Sequence, residues 1–126
     1  RYSRSAMTPP RKASASTYAV MGSIWIVRDG QAFLGRGRVA LLEEIDSTGS
    51  ISEAARHMGM SYKKAWRLVE AMNTLAAVPL VVRTSGGSGG GGTTLTDKGR
   101  QLVHSFRSIE SEYRVFLDDV LLRNKL

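Results

Sequence analysis

The chain has 126 residues, 42% of them hydrophobic, which suits one compact domain with tails. It holds no cysteine, so a disulfide framework, a thiolate metal site and a thiol nucleophile are all excluded. The net charge of +7, from 18 basic and 11 acidic residues, draws it toward polyanions, nucleic acid first and acidic membrane second.

Residues 1–20 are Ser, Ala, Pro, Arg and Lys without periodicity and read as a disordered basic lead. Arg1, Arg4, Arg11 and Lys12 lie there without acids, so the remainder, a domain over 21–126, is only mildly basic. The apolar stretch Tyr18 to Val27 could pass for a signal peptide. Gly22 and Ser23 interrupt it, however, and Arg28-Asp29-Gly30 stands where a small-residue cleavage site belongs. No apolar run approaches the roughly 18 residues of a membrane span. A cytoplasmic protein without a membrane partner is expected.

Ile24-Trp25-Ile26-Val27 is β-prone, and Asp29-Gly30 is a two-residue hairpin signal before Gln31 to Leu34. One strand followed by an early helix start at Phe33 is the alternative. Gly35-Arg36-Gly37 opens a helix with the stripe Val39, Leu41, Leu42 and Ile45, and Gly49 is a left-handed stop. Ser50-Ile51-Ser52-Glu53 is a capping box for a second, short helix ending at Gly59, with Ala54 and Ala55 giving it little bulk. Ser61 caps a third helix that runs to about Ala77, before Pro79.

Short helix, glycine turn and longer helix form a helix-turn-helix, whose steep crossing needs a small contact residue such as Ala55 and a turn glycine such as Gly59. At about 100° per residue, Ala65, Leu68, Val69, Met72, Leu75 and Ala76 share the inner face of the third helix. Ser61, Tyr62, Lys63, Lys64 and Arg67 point outward at its start, where a recognition helix meets bases and phosphates in the major groove. A merely solvated basic face is the plainer reading. Trp66 on the flank is expected to pack against the following hairpin.

Leu80-Val81-Val82-Arg83 and Thr93-Thr94-Leu95 are β-prone runs on either side of a loop holding Gly86, Gly87, Gly89, Gly90, Gly91 and Gly92. The loop lacks the Gly-Lys-Ser/Thr ending of a phosphate-binding P-loop, and no further strand follows its helix as a dinucleotide fold requires. A flexible linker or the tip of a β-hairpin wing remains, and the wing is preferred. Glycine there lets backbone approach phosphate, with Arg83, Thr84 and Ser88 as polar contacts.

Thr96 caps the last helix, over about 96–124, which at this length is ~42 Å long. Leu102, Phe106, Ile109, Tyr113, Phe116 and Val120 keep the heptad spacing of a dimerisation seam, with Leu95 and Gly99 in phase before it. Such pairing would set two recognition helices on a pseudo-palindromic site. The alternative is that the stripe folds back on its own domain, as its start is expected to do. His57 and His104 read as surface or cap residues, and neither a catalytic constellation nor metal-ligand spacing stands out, so no catalytic residue, metal or cofactor is expected.

The strings Gly49-Ser50-Ile51-Ser52-Glu53-Ala54-Ala55 and Met60-Ser61-Tyr62-Lys63-Lys64-Ala65-Trp66 have a further meaning when combined with Leu80-Val81-Val82-Arg83, the glycine loop and Leu95-Thr96-Asp97-Lys98-Gly99. Together they resemble the DNA-binding domain of ModE-type molybdate-responsive regulators, itself similar to the winged helix of LysR-type regulators. The resemblance covers about residues 23 to 120. It implies a mostly α fold with a small β component, a winged helix-turn-helix dimerised through its first and last helices. It also implies that the helix holding Ser61 to Arg67 and the wing at Gly86 to Gly92 contact DNA. Regulators of this type carry C-terminal molybdate-binding domains. None is expected within a chain that stops at Leu126, so no small-molecule effector is evident. The expectation is a homodimeric, sequence-specific binder of double-stranded DNA. A protein–protein adaptor using the long helix is the alternative, and an enzyme a distant third.

Overall fold

The computed structural model describes residues 17–85 and 92–125. Eight elements follow in order: β1 (Trp25–Arg28), β2 (Gln31–Gly35), α1 (Arg36–Thr48), α2 (Ile51–Met58), α3 (Tyr62–Ala76), β3 (Val81–Thr84), β4 (Gly92–Leu95) and α4 (Asp97–Arg123). Mostly helical with two small antiparallel sheets, it is the expected winged helix-turn-helix with a long last helix. The basic lead at 1–16 lies outside the described residues, and residues 17–24 form neither helix nor strand.

The first hairpin forms, and not the alternative of a helix starting at Phe33. Asp29 and Gly30 both take positive φ, 51° and 74°, the turn whose twist matches paired strands. The register slips between Ile26 and Val27, a bulge that leaves Phe33 unpaired. Trp25 lies flat over Gly35, where any β-carbon would strike its ring, and Arg38 sits 5.6 Å from the ring centre.

The helix-turn-helix forms for local reasons. Gly49 ends α1 at φ 71° and Gly59 ends α2 at φ 68°, conformations that a β-carbon resists. Ser50 accepts from the Glu53 backbone, as the capping box requires. Its reciprocal half is not made. Ser50 N–H donates to Thr48 Oγ1 instead, and the Glu53 carboxylate pairs with Arg56, which holds that carboxyl below its ordinary range. Ala54 and Ala55, nearly solvent-free, let α2 lie close to its neighbours.

One core fills the space between these elements. Leu34 from β2, Leu41, Leu42 and Ile45 from α1, Met72 from α3, Leu80 before β3 and Phe106 from α4 are its largest fully buried side chains. At α4, Gly99 marks the tightest approach: a β-carbon there would collide with the Leu80 carbonyl. Gly99 is therefore a contact point with the chain just before its own wing strand.

Candidate nucleic-acid interface

The start of α3 carries an unbroken cationic surface. Ser61 Oγ accepts from Lys64 N–H at 3.0 Å, closing the helix end. Tyr62, Lys63, Lys64 and Arg67 are exposed, and Ala65, Val69, Met72 and Ala76 are buried on the other side. Among the described residues, none of Lys63, Lys64 and Arg67 enters an ion pair or hydrogen bond through its side chain. The first turn has no acid, so the positive helix end and the lysines act in the same sense.

The wing pairs Val81 with Leu95, Val82 with Thr94, Arg83 with Thr93 and Thr84 with Gly92. A two-stranded ribbon this short is not stable alone. Thr96 N–H donates to Leu80 O at 2.9 Å and extends its ladder, while Thr93 N–H, which donates to Gly49 O at 2.9 Å, ties it to the end of α1. A further anchor is Asn73, on α3. Its amide oxygen accepts from Leu80 and Val81 N–H at 2.8 and 3.3 Å, and its amide nitrogen donates to Val81 O at 3.1 Å. Sequence reasoning passed over Asn73. The signal was there: an asparagine late in a helix, a position it favours little.

Arg83 does not stand free. Its guanidinium lies 4.7 Å from the Trp66 ring centre, and Nη2 donates to Tyr62 Oη at 3.0 Å. Trp66 is half-buried and packs toward the wing as anticipated. Arg83, Thr84 and Tyr62 line a cleft of about 310 Å³ together with Ser50, Ile51 and Ser52 at the start of α2. Ser50 and Ser52 were not among the expected contacts. Thr84 Oγ1 accepts from Gly92 N–H at 3.0 Å, at the neck of the loop. The expected contacts Gly86, Gly87, Ser88, Gly89, Gly90 and Gly91 lie outside the described residues.

The long helix divides its apolar residues differently from the expected seam. Phe106 is fully buried in its own domain, and Leu102, Tyr113 and Val120 are half-buried. Phe106 is thus taken by the fold-back that was expected only up to its level. Ile109 and Phe116 stay exposed, joined by Val115 and Leu122. These form two heptad-spaced pairs on the outer half of α4.

Charges fix α4 to α1. Arg36 Nε donates to Glu110 Oε2 at 3.0 Å and its Nη2 to Gly22 O at 3.1 Å. Arg107 donates to both Glu43 oxygens, at 2.6 and 3.0 Å, and to Glu110 Oε1 at 2.9 Å. Burial pushes the Glu110 carboxyl up, but hydrogen bonds from Arg36 and Arg107, with their charges, outweigh it and leave it below its ordinary value. The Arg107 pKa is raised, chiefly by its hydrogen bonds to Glu43. His57 Nδ1 lies 2.9 Å from Glu44 Oε1, an acid supplied by α1 that the local sequence does not reveal. Among the described residues no group of three or more His, Asp or Glu side chains could hold a metal ion.

Residues 37–100 match the lysR family of bacterial regulatory helix-turn-helix proteins. The chain is 52% identical over 81 residues to the molybdenum transport protein ModE of Azotobacter vinelandii, covering 64% of this chain and 30% of that one. It is 45% identical over 69 residues to the DNA-binding transcriptional dual regulator ModE of Escherichia coli K12, covering 55% and 26%. The chain thus spans under a third of the length of these relatives. A crystal structure of a LysR family transcriptional regulator superposes with a TM-score of 0.52 at 23% identity, over 66% of this chain and 27% of that one.

Proposed function

The chain belongs to the lysR family of bacterial regulatory helix-turn-helix proteins, and from that premise we propose that it is a sequence-specific regulator of transcription that binds double-stranded DNA as a homodimer. It corresponds to the DNA-binding part of ModE-type molybdate-responsive regulators. The observation that carries this reading is the exposed start of α3, where Lys63, Lys64 and Arg67, over its first two turns, stand unpaired among the described residues beside the base of the wing. An α-helix fits the major groove, and cations at its start meet phosphates and guanine edges.

Dimerisation rests on Ile109, Val115, Phe116 and Leu122, which are 46%, 66%, 56% and 53% exposed. Large side chains left open at heptad spacing favour a second helix against them. The same exposed side chains would serve a protein–protein adaptor.

A gel-shift titration with promoter fragments separates the two readings. A regulator gives a discrete complex whose affinity falls steeply with salt. Replacing both Lys63 and Arg67 by alanine weakens it by about 1–3 kcal/mol for each residue that contacts a base. Normal operator binding by that double variant would refute the reading face. Weak, sequence-blind binding by the unaltered protein would favour the adaptor.

A further inference from the structure

We propose that Arg83 grips a DNA backbone phosphate and that Tyr62 and Trp66 are its positioning residues, so that wing and recognition helix close on the duplex as one unit. The proposal rests on the DNA-binding reading above. It changes the role of Tyr62 from reading bases to holding the wing's arginine.

Tyr62 and Trp66 are one turn apart on α3, so their side chains share a face of the helix. Arg83 reaches that face from β3. Trp66 supplies a ring 4.7 Å beneath the guanidinium, and Tyr62 Oη takes one of its N–H groups at 3.0 Å. A guanidinium has five N–H donors, so this grip leaves an edge for a further acceptor. Arg83 is exposed and has no carboxylate partner among the described residues, so its charge is not neutralised within the protein. The adjoining cleft is lined by the hydroxyl-bearing Ser50, Ser52 and Thr84 and by no acid. A fork already held in place loses less freedom when it meets a phosphate than a free side chain does. Lysine could carry the charge but could not stack and hydrogen-bond in the same plane.

The test compares Arg83→Ala, Arg83→Lys, Tyr62→Phe and the double variant Tyr62→Phe/Arg83→Ala in gel shifts on one operator fragment across a salt series. Arg83→Ala should weaken binding about tenfold and lower the slope of log affinity against log salt by about one. Tyr62→Phe deletes one oxygen. It should weaken binding about threefold, the worth of one exposed hydrogen bond, and leave the slope unchanged. The double variant should bind no more weakly than Arg83→Ala alone, because Tyr62 acts through Arg83. Arg83→Lys should keep the slope and lose affinity. A purely structural role for the pair would not move the slope. Additive losses in the double variant, or an unchanged slope in Arg83→Ala, overturn the proposal while Lys63→Ala/Arg67→Ala still weakens binding. If that control also binds normally, the DNA-binding reading itself has failed.

Discussion

Replacing Asn73 by alanine tests how the wing is held to α3. The substitution removes two acceptor contacts, to Leu80 and Val81 N–H, and one donor contact, to Val81 O. Each such bond contributes about 0.5–1.5 kcal/mol net, the 3.3 Å contact to Val81 at the low end. Leu80 is fully buried, so its N–H has no water to replace the lost acceptor, and an unsatisfied buried donor costs about 1–3 kcal/mol. Alanine returns roughly 0.5 kcal/mol through better helix propensity. The net loss is about 1.5–4.5 kcal/mol, which in a domain of this size lowers Tm by roughly 6–18 °C. Thermal melts by circular dichroism, with all variants at one protein concentration, measure it directly. Asn73→Asp keeps the acceptor and loses the donor, so it should fall between. DNA affinity should drop further than stability alone explains, because the wing loses its bearing on α3. An Asn73→Ala melt that overlays the wild type would refute the reasoning.

Gly99→Ala should destabilise the fold by about 1–3 kcal/mol in a urea titration, since the new β-carbon meets a backbone carbonyl at Leu80 that cannot step aside. Ala77 closes α3 at φ 64°, so Ala77→Gly should raise the melting temperature by the equivalent of a few tenths to about 1 kcal/mol, strain relief exceeding the added chain entropy. Glu110 has a folded pKa below its ordinary 4.5, so its contribution is complete above that pH and is lost as pH falls below it. Glu110→Gln should therefore be less stable at neutral pH and flatten the acid limb of a stability–pH profile. In the homodimer proposed above, Phe116→Asp removes an apolar ring from both sides of the two-fold interface, a loss of roughly 3–6 kcal/mol, so sedimentation velocity should find the variant monomeric and the unaltered protein paired at the same concentration.

Much of this protein is legible in its sequence because the determinants are local. Ser50, Ser61 and Thr96 each accept from an N–H three residues on, and Asp29-Gly30, Gly49 and Gly59 each turn the chain within one or two residues. The buried stripe and the cationic face of α3 follow from helical periodicity alone. What the linear order left open involves partners far apart in the chain. Arg36 meets Glu110 across 74 positions, Arg107 meets Glu43 across 64, and Arg83 meets Tyr62 across 21. No spacing rule links such pairs, because packing alone brings them together. The same holds for Phe106, part of the same 4-3 spaced stripe as Ile109 and Phe116, yet buried because the core of its own domain extends that far along α4. Local hydrogen-bond geometry thus settled which elements form and which faces are apolar. Three-dimensional packing decided which of those faces remain uncovered and how the wing is braced, since these depend on the distance between elements and not on residue order.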